Sequence, residues 1–354
     1  MEQTLLNVSY SLLENQKGNL PLVIKPDGDT SVSALANWLR ANKEEIGQKL
    51  TQHGAILMRG FDAKSEPDYE TVAKAIEEDL KNVYLGTSPR NQRSQYVFNA
   101  SELPDYYPIM QHCEMSFLKS APRRLFFFCK TAPPEGGQTP ITDFRKVYQQ
   151  LNPAIKEEFE KKGIKNIRNY NGPSSPAKFD LWKLKRWDEM FNTTDKTVVE
   201  AACAANDIQV VWKGDDKLTL INEQETFKKH PITGEMVWFN HLQVFHKDAA
   251  SIEYSKIVGY QKNIRSVAVN GLVTAMSAFK NLLTQPENQA MHCTFADGTE
   301  IPKSYVQHVI DVIWDNLVIF KWQQGDIIVI DNFSTSHGRL PYSGPREILV
   351  AWSS

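Results

Sequence analysis

The chain of 354 residues has only four cysteines, Cys113, Cys129, Cys203 and Cys293, and no two stand in Cys-x-x-Cys spacing. That excludes a zinc ribbon and offers no disulfide framework. A cationic excess is missing too, since 40 Lys and Arg face 42 Asp and Glu for a formal net charge of −2. Without a basic stripe or a block of like charge there is no electrostatic footprint for nucleic acid, and no such partner is expected. No hydrophobic run is long enough to cross a bilayer, and Met1-Glu2-Gln3-Thr4-Leu5-Leu6 lacks the basic start and apolar core of a signal peptide. The expectation is a protein of a reduced, cytoplasmic compartment with no membrane partner. Internal repeats and low-complexity segments are absent as well. What remains is an ordinary globular composition, 41% hydrophobic and 23% charged, long enough to bury a sizeable core.

Turn-formers and periodicity divide the chain. Leu20-Pro21-Leu22-Val23-Ile24 reads as a short edge strand. Residues 31–50 read as one amphipathic helix, capped by Ser31 or Ser33, with Leu35, Leu39, Ile46 and Leu50 on one stripe and Gly54 as its stop. A compact strand over 55–60 and a helix over 67–80, with Tyr69, Val72, Ile76 and Leu80 inward, complete a helix–strand–helix layer within residues 1–95. Strands follow at Tyr96-Val97-Phe98, Ile109-Met110-Gln111-His112 and Leu125-Phe126-Phe127-Phe128-Cys129, the last apolar enough to be buried on both faces. One helix is expected through Val147, Leu151, Ile155 and Phe159, and short helices over 254–265 and 306–314. Residues 164–245 have weak periodicity and read as an insertion of strands and loops within one domain spanning 1–354. Near the end, strands are expected at Val318-Ile319-Phe320-Lys321-Trp322, Ile327-Ile328-Val329-Ile330 and Glu347-Ile348-Leu349-Val350-Ala351-Trp352, with His337 in a loop at a sheet rim. The fold class is α+β, mainly β: a double-stranded β-helix, or jelly roll, with flanking helices and a central insertion.

The chemistry-bearing stretch is Gln111-His112-Cys113-Glu114-Met115-Ser116. On an extended strand end, residues i and i+2 point to the same side, so the His112 imidazole and the Glu114 carboxylate can converge on one point. His337, in Asp331-Asn332-Phe333-Ser334-Thr335-Ser336-His337-Gly338-Arg339, would complete two histidines and one carboxylate with open positions left on a metal, as in non-haem Fe(II) oxygenases. His-x-Glu alone arises by chance in many chains. The ordered set is more specific: His-x-Glu, then Gly136-Gly137-Gln138-Thr139, then Gly325-Asp326 ahead of Asn332, His337-Gly338-Arg339 and a following Arg346.

Over residues 96–352 this set resembles the taurine dioxygenase-like family of Fe(II)/2-oxoglutarate oxygenases. Its His-x-Glu-Met-Ser wording is most similar to clavaminate synthase-like members and to aspartate hydroxylases of nonribosomal peptide pathways. The resemblance implies that His112, Glu114 and His337 bind Fe(II). It implies further that the Thr139 hydroxyl and Arg346 hold a carboxylate of 2-oxoglutarate, with Arg339 as the rival arginine. A guanidinium suits that role because its planar fork binds a carboxylate bidentately. The implied reaction consumes O2, releases succinate and CO2, and hydroxylates an unactivated C–H bond. Related halogenases have a small residue where this chain keeps Glu114. Desaturation or cyclisation uses the same iron chemistry, and a jelly-roll metalloprotein that does not take 2-oxoglutarate is the further alternative. By analogy the substrate is a small polar molecule bearing an amine and a carboxylate, an amino acid or its derivative in a specialised biosynthetic pathway, free or presented by a carrier protein. The insertion, with Lys183, Lys185 and Arg186, is a candidate lid or a solvated face. Asn99, Arg124, Asn240 and His241 are candidate polar groups of the substrate wall. The spacing of His241 and His246 suits neither a strand face nor a helix face, which argues against a second metal site.

Overall fold

The computed structural model describes residues 6–13, 18–82, 90–175, 186–214 and 216–354. At its centre is a seven-stranded sheet in the order Asn7–Leu12, Leu22–Asp27, Ala55–Met58, Ile327–Asp331, Arg124–Thr131, Glu347–Ser353, Phe98–Asn99. The pairings are antiparallel except for Leu22–Asp27 against Ala55–Met58. Strand alternation sends Phe126 and Phe128 to one face and Leu125, Phe127 and Cys129 to the other, and both sets are buried. On the first face they meet Leu35, Leu39, Ile46, Leu50, Val72 and Ile76 from the N-terminal helices. There the Tyr69 hydroxyl donates to the Phe126 carbonyl at 2.7 Å. The second face turns toward a three-stranded sheet, Ile109–His112, Thr335–Arg339 and Ile141–Asp143, so that the Phe127 and His337 rings lie 5.0 Å apart. A four-stranded sheet, Gln209–Lys213, Lys217–Gln224, Ile164–Tyr170 and Met291–Phe295, extends the second core. The architecture is α+β with mixed sheets and flanking helices.

Several boundaries differ from the sequence expectation. Leu22–Asp27 is an interior strand, because Asn7–Leu12 pairs along its outer edge. Residues 31–50 form two helices, Val32–Ala41 and Lys43–His53, because the Asn42 side chain donates to the Trp38 carbonyl at 2.8 Å and its backbone leaves the helical region. Gly54 does stop the second helix, with φ of +74°, and a Cβ there would collide with Thr335 Oγ1 at the head of the His337 strand. The helix expected through Phe159 is also two, Phe144–Gln150 and Pro153–Lys162, broken where Asn152 caps and Pro153 opens the second. Residues 318–322 form no strand beyond a single bridge between Val318 and Ile141. His337 sits within a strand, Thr335–Arg339, not in a loop. The insertion's sheet is not confined to 164–245, since it recruits Met291–Phe295. The expected helices appear as Ala249–Gln261 and Lys303–Asp315, and a twenty-residue helix, Ile264–Leu283, stands where none is expected.

One buried acid ties stability to pH. Glu253, on Ala249–Gln261, accepts from Trp314 Nε1 at 2.9 Å, and burial pushes its carboxyl up to about 7. Between the ordinary carboxylate range and pH 7 the folded chain keeps a proton that the unfolded chain has lost, so this contribution to stability falls as pH rises through that window. Glu253→Gln keeps an acceptor for Trp314. It is expected to raise the melting temperature more at about pH 8 than at about pH 5, as thermal denaturation at the two values checks.

Candidate metal and cosubstrate site

His112 and His337 are register partners across the antiparallel pair Ile109–His112 and Thr335–Arg339, which brings their ring centroids to 4.4 Å. Glu114 does not reach them along an extended strand, because the chain turns after His112 and Met115 takes φ of +51°. Its place is set by buried Asn332, whose Oδ1 accepts from Glu114 N–H at 2.7 Å while its Nδ2 donates to the carbonyls of Glu114 and Pro122 at 3.0 and 2.7 Å. Glu114 Oε2 then lies 3.9 Å from His112 Nε2 and 3.6 Å from His337 Nε2. One ligand atom from each of the three residues falls within 4.8 Å of the others.

The electrostatics suit a divalent ion. Burial, with His337 beside it, pushes His112 down to about 4, so its imidazole is neutral at ordinary pH. His112 Nδ1 meets the Met110 carbonyl at 2.8 Å, which leaves Nε2 to face the site with its lone pair. Burial alone would raise the Glu114 carboxyl, but Arg90, followed by the two histidines, outweighs it and holds the group well below the usual carboxylate range. Arg90 Nη2 donates to Glu114 Oε2 at 2.6 Å, with the two side chains 5% and 3% exposed. A cation thus already stands against the carboxylate, and two imidazoles beside one buried carboxylate form a donor set that fits Fe(II).

A cavity of about 20 Å³ runs from His112 and His337 past Arg90 to Thr139 and Arg346. Thr139 Oγ1 accepts from Trp322 Nε1 at 3.1 Å and from Arg346 Nη2 at 3.4 Å, and Arg346 Nε donates to the Gly137 carbonyl at 2.9 Å. Gly137 has φ of +66°, and a Cβ there would press on Pro133, Tyr342 and Arg346 itself. Burial of its charged end, with Arg339 nearby, pushes the Arg346 guanidinium down to about 9. Arg339 instead spends its donors on the carbonyls of Leu103, Pro104 and Tyr107 at 3.1, 2.7 and 2.6 Å, fastening that loop. A larger cavity, about 530 Å³, lies behind the Thr139 loop between Gln138, Tyr342, Tyr254 and Arg265.

The substrate-wall candidates part company. His241 comes to the site: its ring lies 5.4 Å from that of His112, its Nδ1 shares a 2.7 Å hydrogen bond with Ser116 Oγ, and burial holds it neutral. Asn240 is buried but spent on structure, donating to the Thr226 carbonyl and accepting from Leu242 N–H, each at 2.8 Å. Asn99 sits on the edge strand beside Ala100 and Ser101, which line the small cavity. Arg124 is not brought to the site. It pairs with Glu77 at 2.9 Å at the helix-covered side of the large sheet. Arg186 pairs with Asp188 and Glu189, while Lys183 and Lys185 lie outside the described residues. Arg90 and Trp322 are the site residues that sequence reasoning missed. Neither belongs to a spaced motif, and Trp322 reads as an ordinary strand residue.

The family model described as "Taurine catabolism dioxygenase TauD, TfdA family" matches residues 19–352. The chain belongs to that family. It is accordingly a 2-oxoglutarate-dependent non-haem iron dioxygenase, working with Fe(II), 2-oxoglutarate and O2. Among curated relatives, the dapdiamide synthesis protein DdaC of Enterobacter agglomerans is 29% identical over 306 residues, covering 86% of this chain and 84% of its own. A clavaminate synthase-like protein of Arabidopsis thaliana is 26% identical over 344 residues, 94% and 92% of the two chains. Among solved structures, PvcB of Pseudomonas aeruginosa matches with a TM-score of 0.50 at 12% identity, covering 99% of this chain and 92% of that one. A second structure of PvcB describes it as an Fe, alpha-ketoglutarate dependent oxygenase from an isonitrile synthetic pathway. These structural likenesses speak to the fold.

Proposed function

We propose that this dioxygenase hydroxylates an unactivated C–H bond of a small amino-acid-derived substrate that carries a carboxylate, in a specialised biosynthetic pathway. In this reading His112, Glu114 and His337 hold Fe(II), Thr139 and Arg346 hold 2-oxoglutarate, and Arg90 receives the substrate's anion. Bound iron with 2-oxoglutarate supplies O2 activation coupled to release of succinate and CO2. The residues do the rest. Asn332 fixes Glu114, the Met110 carbonyl fixes the His112 tautomer, and Trp322 orients the Thr139 hydroxyl. The large sheet and the His337 sheet are read as the two sides of a jelly roll in one domain. The Ala55–Met58 strand ties the N-terminal layer into it, and residues 164–245 supply part of the lid. Free, buried thiols at all four cysteines agree with a cytoplasmic setting.

The observation that carries the substrate class is Arg90 beside Glu114. Arg90 also lines the small cavity with His112, His337 and Arg346, so a substrate carboxylate entering beside the metal would meet its guanidinium. Names of relatives point the same way, since dapdiamide and isonitrile synthesis both lie in specialised biosynthesis. If a carrier protein presents the substrate through a thioester, that linkage consumes one carboxylate, and the acyl group must then bring a second to Arg90. Succinate release, screened over free and N-acylated amino acids and their C-terminal amides, is expected to respond to acids and not to amides. Arg90→Met is expected to raise the substrate KM on the order of 100-fold while leaving the 2-oxoglutarate KM nearly unchanged. Equal stimulation by amides, or a matching rise in the 2-oxoglutarate KM, would overturn the role given to Arg90.

A further inference from the structure

The helix Ile264–Leu283 is built inside out. Its two buried residues are serines, Ser266 and Ser277, eleven positions apart and therefore on one line about three turns long. Val269 and Val273 stand near that line and are half-buried, whereas the other large apolar residues, Ile264, Val267, Leu272, Met276, Phe279, Leu282 and Leu283, lie toward the other side and are 37% to 89% exposed. They are seven of the twelve large hydrophobics exposed among the described residues. At ordinary side-chain areas they present on the order of 800 Å², well above a few hundred Å² for a typical surface patch and about what each partner gives to a stable interface.

We infer that this face is the dimer interface of the enzyme, pairing the helix with the same helix of a second copy in an antiparallel, two-fold arrangement. Three features of the stripe favour its own copy over other occupants. It is self-complementary: with the axis through the middle of the helix, Ala268 faces the second copy's Phe279, Gly271 its Met276, Ala275 its Leu272, and Ile264 its Leu283. Three of these pairs set a large side chain against a small one and the fourth closes the ends with two large ones, so the stripe is complementary to its own copy, as an isologous interface requires. Charge does not oppose the pairing. The helix carries only Arg265 and Lys280, and Arg265 is turned back onto its own chain by Asp105 at 2.9 Å and Ser343 at 2.7 Å. Antiparallel packing also sets the helix dipoles head to tail. A membrane surface would be met by an apolar face backed by a basic one, but here the opposite face packs on Ala249–Gln261. An acidic carrier protein would want a basic rim, which the stripe lacks.

The test is the molar mass of the full chain by sedimentation velocity across the micromolar range. The expected result is twice the 40.3 kDa of one chain. Leu272→Glu combined with Phe279→Glu is expected to run at the mass of one chain, with an unchanged far-UV circular dichroism spectrum and unchanged Mn(II) binding. Independently, Ala275→Cys in the otherwise intact protein is expected to give a covalent dimer with a short bismaleimide, since the native cysteines are buried. A parent that stays monomeric, whether or not the helix then binds vesicles or a carrier protein, would overturn the inference. So would a folded double variant that remains dimeric, or failure of Ala275→Cys to cross-link.

Discussion

Replacing Glu114 by alanine is expected to weaken Mn(II) or Fe(II) binding at least about 100-fold and to reduce substrate-stimulated succinate release below roughly a thousandth of the parent's. The carboxylate is the only anion among the three converging ligands, and without it two imidazoles must hold a divalent ion alone. The same substitution also takes from Arg90 its 2.6 Å ion-pair partner inside the protein. Removing one member of a buried pair costs about 3–5 kcal/mol, much of it the price of an uncompensated charge. Lost activity alone would therefore confuse metal binding with stability. Glu114→Ala with Arg90→Met separates them. The double variant is expected to recover most of the lost thermal stability and none of the metal affinity, a coupling read from the four-member cycle by calorimetry and anaerobic titration. If Glu114→Ala still binds Mn(II) as the parent does, the triad is not the metal site.

The division between what sequence made legible and what it did not follows the physics of each residue. His112, Glu114 and His337 announced themselves because ligand chemistry depends on residue identity and order, and both survive in a string of letters. The Phe126–Phe128 run revealed a doubly buried strand for the same kind of reason, since no solvated face tolerates it. Glu114's route to the site differs from the one its spacing implies. The two-residue spacing suggested a straight strand, whereas the structure uses a turn clamped by Asn332, more than two hundred residues away in sequence. The divisions at Asn42 and Pro153 were obscured because the apolar stripe continues across each break. Helix Ile264–Leu283 defeats the usual rule outright, because its apolar periodicity does not face its own core. Arg90 had no signal at all. A lone arginine acquires meaning only from the carboxylate that folding sets against it.

Arg346 is where the cosubstrate reading is most exposed to failure, because cofactor binding and protein stability are expected to move in opposite directions there. Burial, then the neighbouring Arg339, pushes its guanidinium from the ordinary arginine range down to about 9, and among the described residues no carboxylate pairs with it. The folded state disfavours this proton relative to the unfolded chain. Stability from this group would rise with pH only between about 9 and the ordinary guanidinium range, and at neutral pH the whole penalty is present. Arg346→Met removes that penalty, and the metal-free variant is expected to melt a few degrees above the parent. It also removes the fork that a 2-oxoglutarate carboxylate would engage. Added 2-oxoglutarate, which should raise the melting temperature of the Mn(II)-loaded parent, is expected to leave the variant unmoved, with KM for 2-oxoglutarate up on the order of 100-fold. Arg346→Lys should not rescue it. An ammonium is a point charge that cannot span the Gly137 carbonyl, Thr139 Oγ1 and a ligand carboxylate together. A variant that melts below the parent and still responds to 2-oxoglutarate would make Arg346 a structural tie for the Gly137 turn.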